Sequence, residues 1–158
     1  MIGIDPGLNV GSIAVLGDPL RSKVLKFDQE KKLAPLPRVW TIAERFTNEI
    51  PWGDPGPVSI EEPFYSHGRS NPRHMGLVYT MYGILTYLLN QHGYRVVVVH
   101  NRTVKKLAGY KQGSKSTKRQ MIEAYKRRVG SYPPSNTKYG RETLADSYFI
   151  ALAGMGQK

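Results

Sequence analysis

Four carboxylates in this chain stand where a negative charge is costly. Asp5 ends the apolar run Met1-Ile-Gly-Ile-Asp5, Glu61 and Glu62 end Val58-Ser-Ile-Glu-Glu62, and Asp146 lies inside Leu144-Ala-Asp-Ser-Tyr-Phe-Ile-Ala-Leu152. A carboxylate beside an apolar core needs a cation or hydrogen bonds to compensate it, and aspartate is only a middling helix former. Three carboxylates about 5 Å apart repel by roughly 3 kcal/mol per pair at an effective dielectric of 20. Divalent cations remove that cost. Oxygen-only ligands select Mg²⁺ or Mn²⁺, and a two-metal site stabilises both the attacking and the leaving oxygen of an in-line phosphoryl displacement. Adjacent strand residues face opposite sides, so only one of Glu61 and Glu62 can share a site with Asp5. Asp5 also fits the first position of an Asp-Pro-Gly turn, a purely structural role.

The charge distribution points to the substrate of that chemistry. The chain has 158 residues, 23 Lys and Arg against 12 Asp and Glu, and a net charge of +11. Residues 1–62 hold nine acids and seven bases, whereas residues 63–158 hold three acids and sixteen bases. No acid occurs between Pro63 and Ile122, and all ten tyrosines lie between Tyr65 and Tyr148. Cations pair with phosphates and flat rings stack on bases, so the second region reads as a nucleic-acid surface. A solvated basic face with core tyrosines is the plainer alternative. The basic residues are spread over several elements and not along one amphipathic helix, which argues against a membrane surface. Sparse acids on a basic chain therefore point to metal-dependent cleavage of nucleic acid.

Three successive strands, Met1–Asp5, Val10–Leu16 and Ser22–Phe27, with short turns predict an antiparallel meander. A helix is expected over Pro37–Ile50, a strand over Val58–Glu62, and a long helix to about Gln91 that starts at Asn71-Pro72. Its apolar stripe is Leu77, Met81, Ile84, Leu85 and Leu88. Tyr94–His100 is a strand with an apolar Val96–Val99 centre, and Asn101 is placed to cap a short helix to about Ala108. Helices at Lys118–Arg128 and Arg141 to about Met155 follow, separated by a Pro-rich loop. Parallel additions to a meander need helical crossovers, and each here is long enough. The expectation is an α/β fold: a mixed five-stranded sheet, three antiparallel strands plus two parallel, with helices on both faces. The length suits one domain.

Several classes are excluded. With no cysteine there is no disulfide or thiolate metal site, which fits a reducing compartment. No leader pattern and no run of about 18 apolar residues is present, so no membrane partner and a cytoplasmic location are expected. His67, His74, His92 and His100 offer no i,i+4 pair for zinc. No Walker-type glycine loop occurs, and hence no nucleotide cofactor is expected.

Ile2-Gly-Ile-Asp-Pro-Gly-Leu-Asn-Val-Gly11, Ile60-Glu-Glu-Pro-Phe64 and Leu144-Ala-Asp-Ser-Tyr-Phe-Ile-Ala151 together resemble the RuvC-type Holliday junction resolvases of bacteria and phages, over nearly the whole chain. The resemblance implies one RNase H-like nuclease domain spanning residues 1–158. It also implies a homodimer and paired incisions in a four-way DNA junction, with two Mg²⁺ or Mn²⁺ per active site. Asp5, Glu61 and Asp146 match the family's metal-binding acids, with Glu61 and not Glu62 as the match. Lys105 and Lys118 match its lysines near the scissile phosphate, and Phe64 stands where an aromatic stacks on an unpaired base. The remaining DNA-binding candidates are Arg69, Arg73, Lys106, Lys111, Lys115 and Arg119. The family usually has Asp or His three residues before its last aspartate, where this chain has Thr143. A hydroxyl is a poorer ligand, so a second ion at Thr143 would be weakly held, and Glu142 is placed on nearly the same helical face to substitute.

The helix over 72–91 carries Met75, Tyr79, Tyr82 and Tyr87 beside its core stripe and is the expected dimer contact. Competing functions are a broader RNase H-like nuclease on flaps, forks or hybrids, and a catalytically weakened junction-binding protein. An actin-like ATPase also begins Gly-Ile-Asp, but needs two such domains and more than twice this length.

Overall fold

The computed structural model describes residues 1–50, 56–63, 71–110 and 118–157. Five strands, β1 (Ile2–Asp5), β2 (Val10–Val15), β3 (Arg21–Lys26), β4 (Val58–Glu61) and β5 (Val96–Val99), form one mixed sheet in the order β3-β2-β1-β4-β5. β1, β2 and β3 pair antiparallel, while β4 and β5 are added parallel to β1. The helices are α1 (Pro35–Glu49), α2 (Pro72–Gln91), α3 (Asn101–Leu107), α4 (Lys118–Val129) and α5 (Lys138–Met155). The expected mixed sheet with helices on both faces is thus the observed one. Among the described residues no helix is long and apolar enough to cross a membrane.

Local chemistry sets the element ends. α1 opens two residues earlier than expected, with Pro35 and Pro37 in its first turn, where a missing N–H costs nothing. Asn71 caps α2 by accepting from the Arg73 amide. α5 starts at Lys138, not Arg141, because Thr137 Oγ1 accepts from the Gly140 amide at 3.0 Å and supplies a cap inside the Pro-rich segment. Asn101 does not cap α3: His100 holds that position and makes no side-chain cap bond. β5 is an edge strand, so its apolar run is not wholly enclosed and Val98 is 41% exposed.

Alternation along the strands separates two apolar layers. Ile2, Ile4, Ile13, Val15, Val58 and Ile60 pack against Val39, Ile42 and Phe46 of α1 and Met81, Leu85 and Leu89 of α2. On the opposite face, Val97 and Val99 pack with Val104, Met121, Tyr125, Phe149 and Ile150. There α5 runs across β1, β2 and β4 at unusually close range. Ala14, Gly3 and Ser59 stand in register across those strands, and small residues of α5 meet them. A Cβ at Gly3 would lie 2.1 Å from the Ser147 carbonyl oxygen and 2.5 Å from the Ala151 nitrogen. Gly154 meets Ser59 in the same way, with a virtual Cβ 1.7 Å from its hydroxyl.

Gly3→Ala must push α5 away from β1, since the obstructing atoms at Gly3 are backbone. Overpacking of this kind costs about 1–3 kcal/mol, or a fall of about 2–4 °C in Tm per kcal/mol at this size. Urea and thermal unfolding measure it, and an unchanged midpoint would contradict the close packing.

Candidate active site

Two residues up the strands from the close-packed row lies a row of polar groups. Asp5 pairs with Ser12 across β1 and β2, and Glu61 pairs with Val99 across β4 and β5. Asp5 and Glu61 each follow the paired Ile4 and Ile60 by one residue. Both share the sheet face of Gly3 and Ser59, the face that α5 covers. Glu62 leaves that face and pairs instead with His100, Oε2 to Nδ1 at 2.6 Å. Glu61 and Glu62 thus diverge at the end of β4, although both reach the cleft beyond the strand ends. Asp5, Glu61, Glu62, Pro6, Pro63 and Val78 line a cleft of about 180 Å³ at this end of the sheet.

Neutral donors hold both strand acids. The Thr143 hydroxyl of α5 donates to Asp5 Oδ2. Ser12 Oγ donates to the Thr143 carbonyl at 2.6 Å and lies 3.2 Å from the Thr143 hydroxyl. Asn101 Nδ2, at the start of α3, donates to Glu61 Oε1. Lys118, at the first turn of α4, reaches Glu142 Oε2 at 3.1 Å and lies 4.8 Å above the Tyr139 ring. Glu142 is almost buried, with 8% of its side chain exposed.

The acids feel one another. Burial first, then the charges of Asp5 and Glu61, hold the Asp146 carboxyl well above the usual carboxylate range, with Lys118 opposing and Glu142 adding to the rise. Burial raises Glu61 to about 7 against the Asn101 hydrogen bond, and the Asp5 charge adds to it. Asp5 is raised by burial, opposed by the Thr143 hydrogen bond and by Lys118. Burial works against the Lys118 ammonium, but the hydrogen bond and charge of Glu142, with Tyr139 and Asp146, raise it overall. Burial and the nearby Asp146 raise Tyr110.

Among the described residues no group of three or more His, Asp or Glu side chains is arranged to hold a metal ion. In donor chemistry, however, the acids of β1, β4 and α5 fit one. Their groups are hard oxygens, desolvated and mutually repelling, a combination that a divalent cation relieves.

The other candidates divide. Lys105 of α3 acts electrostatically on Glu61 and lines a larger groove with Glu62, His100, Asn101 and Arg102. Lys106 and Arg73 are exposed on α3 and α2. Arg119 lines a separate cleft with Tyr110 and Arg127. Phe64, Arg69, Lys111 and Lys115 lie outside the described residues. Thr143 faces Asp5 and donates a hydrogen bond to it. Sequence reasoning missed Ser12 and Asn101. Ser12 had a signal in the tight β1–β2 turn, which sets it opposite Asp5. Asn101 had none, because its contact depends on a crossover connection.

No family model matches the sequence, and no curated protein matches it. Solved structures do match. The chain aligns with the Thermus thermophilus RuvC structure at 22% identity and a TM-score of 0.65, covering 97% of this chain and 92% of that one. It aligns with T. thermophilus RuvC in complex with Holliday junction substrate at 19% identity and a TM-score of 0.64, with the same coverage. The fold is therefore the RuvC-type, RNase H-like fold.

Raised carboxyl pKa values mean that the folded state binds more protons than the unfolded chain, so these groups lose stability as pH rises. For Glu61 the window runs from 4.5 up to about 7. Asp146→Asn removes one member of the cluster. It should raise the unfolding midpoint of the metal-free protein at pH 8 by several degrees and at pH 5 by much less. A thermal melt series at both pH values checks this, and equal or negative shifts would contradict mutual repulsion. Millimolar Mn²⁺ should stabilise the unaltered protein more at pH 8 than at pH 6.

Proposed function

We propose that this protein is a structure-specific endodeoxyribonuclease that resolves four-way DNA junctions by divalent-metal-dependent phosphodiester hydrolysis. The observation that carries this reading is electrostatic. Asp5, Glu61 and Asp146, from two strands and a helix, are all raised by burial in a basic chain, with the Asp5 charge raising Glu61 and the charges of Asp5 and Glu61 raising Asp146, on a fold shared with a RuvC solved on Holliday junction substrate.

Asp5, Glu61 and Asp146 would hold the cation, which when bound supplies charge neutralisation and Lewis acidity at a phosphodiester. The chain's own residues do the rest. Lys118 stands beside the acids, fixed from behind by Glu142 and by the Tyr139 ring, and offers an ammonium to a phosphate oxygen as charge develops. Lys105 approaches from the groove beyond Glu61. Arg73, Lys106 and Arg119, together with Phe64, Arg69, Lys111 and Lys115, belong to the proposed DNA-binding set. A homodimer contact along α2, where Tyr87 is 56% exposed, would present two such sites to the two symmetric strands of a junction.

The test is a labelled four-way junction, a flap and a linear duplex incubated with Mg²⁺ or Mn²⁺, beside an Asp5→Asn control. Symmetric nicks confined to the junction and absent in the control are expected. Cutting of flaps at an equal rate would favour a broader nuclease, and binding without cuts a junction-binding protein. Six to ten phosphate contacts would cost about 10³ to 10⁵ in junction affinity between 50 and 200 mM salt. A nearly flat salt response in a binding titration would contradict the proposed basic surface.

A further inference from the structure

We infer that Thr143 and Asn101 are positioning residues, two neutral donors that each clamp one oxygen of a strand acid and so orient Asp5 and Glu61 for a divalent cation. The inference rests on the nuclease reading above and concerns how its acids are held.

A proton count assigns the Thr143 role. A threonine hydroxyl has one proton to give. Ser12 spends its own proton on the Thr143 carbonyl at 2.6 Å, so Ser12 Oγ can only accept from Thr143 or stand beside it. The Thr143 proton has two acceptors in reach, Asp5 Oδ2 and Ser12 Oγ, and the carboxylate is the stronger. Thr143 thereby gives its one proton to Asp5, and the titration below separates this positioning role from direct ligation through the remaining lone pairs. The Thr143 backbone is itself tied to β2 through Ser12, so the donor is anchored to the sheet that carries the acid.

Asn101 repeats the device on the neighbouring strand. Its amide can donate where a carboxylate there could only repel, and it reaches Glu61 Oε1 across the β4–β5 edge. Position 101 lies two residues beyond Val99, the strand partner of Glu61. The clamp is therefore set by the strand pairing and by the start of α3. Each donor occupies one oxygen, and among the described residues no hydrogen bond is made to the other. Glu142, the other carboxylate of this part of α5, is engaged by Lys118.

Groups that orient metal ligands without touching the metal typically contribute 10- to 100-fold in affinity. The experiment is a calorimetric Mn²⁺ titration of the 158-residue chain without DNA, comparing the unaltered protein with Thr143→Val, Thr143→Ser and Asn101→Ala. Melting curves of the metal-free variants serve as the folding control. Thr143→Val and Asn101→Ala should each weaken Mn²⁺ about 10- to 100-fold with the number of bound ions unchanged, and Thr143→Ser should restore it. Unaltered affinity in Thr143→Val and Asn101→Ala would overturn the inference while leaving the nuclease reading standing. Loss of one bound ion at saturation in Thr143→Val would overturn it by making Thr143 a ligand. Absence of Mn²⁺ and Mg²⁺ binding by the unaltered protein would overturn the nuclease reading and this inference with it. Asn101→Ala keeps the test decisive if Thr143→Val fails to fold, because Asn101 lies at a partly exposed helix start.

Discussion

The structure depends on a backbone-to-backbone contact between α5 and β1. At Gly3 there is no space for a methyl group between the strand and the Ser147 carbonyl, so α5 lies closer to the sheet than side chains ordinarily permit. Ala14 and Ser59 continue the low ridge on either side of Gly3. A helix seated this deeply brings its own side chains down to the level of the strand ends. Asp146 comes within the electrostatic reach of Asp5 and Glu61, and Thr143 within hydrogen-bonding distance of Asp5.

That proximity is unfavourable on its own. Burial raises all three carboxyl groups and neighbouring carboxylate charge further raises Glu61 and Asp146, while the opposing contributions come from Lys118, Lys105 and two neutral donors. A protein does not gain stability from such a cluster. The surrounding core, with Phe149 and Ile150 on one side of the sheet and Phe46, Met81 and Leu85 on the other, holds the acids together. Stability spent at one end of the sheet is what a divalent ion would recover.

Much of this was legible in the residues. Period-two alternation separated Glu61 from Glu62, and the meander followed by crossover helices predicted the mix of antiparallel and parallel strands, though not their order. The odd placement of Asp146 on an apolar helix marked α5 as part of the site. Other features depended on geometry that spacing does not carry. Asn101 looked like a helix cap because asparagine favours that position, yet its amide is turned to Glu61. Thr143 was placed at the site by position, but its hydrogen bond to Asp5 was not readable from spacing. The start of α5 was misplaced by three residues because Thr137 caps it within a segment whose prolines read as loop. The basic residues were countable but not placeable: Lys118 belongs with the acids, whereas Arg119, its neighbour in sequence, lines another cleft.

The central claim is that Asp5, Glu61 and Asp146 form a divalent-cation site. Crystals soaked in Mn²⁺ and measured for anomalous scattering test it most directly. The account predicts an anomalous peak between the three carboxylates, with Asn101 and Thr143 still donating to Glu61 and Asp5. No peak there at saturating Mn²⁺, or a peak held only by other residues, would contradict it.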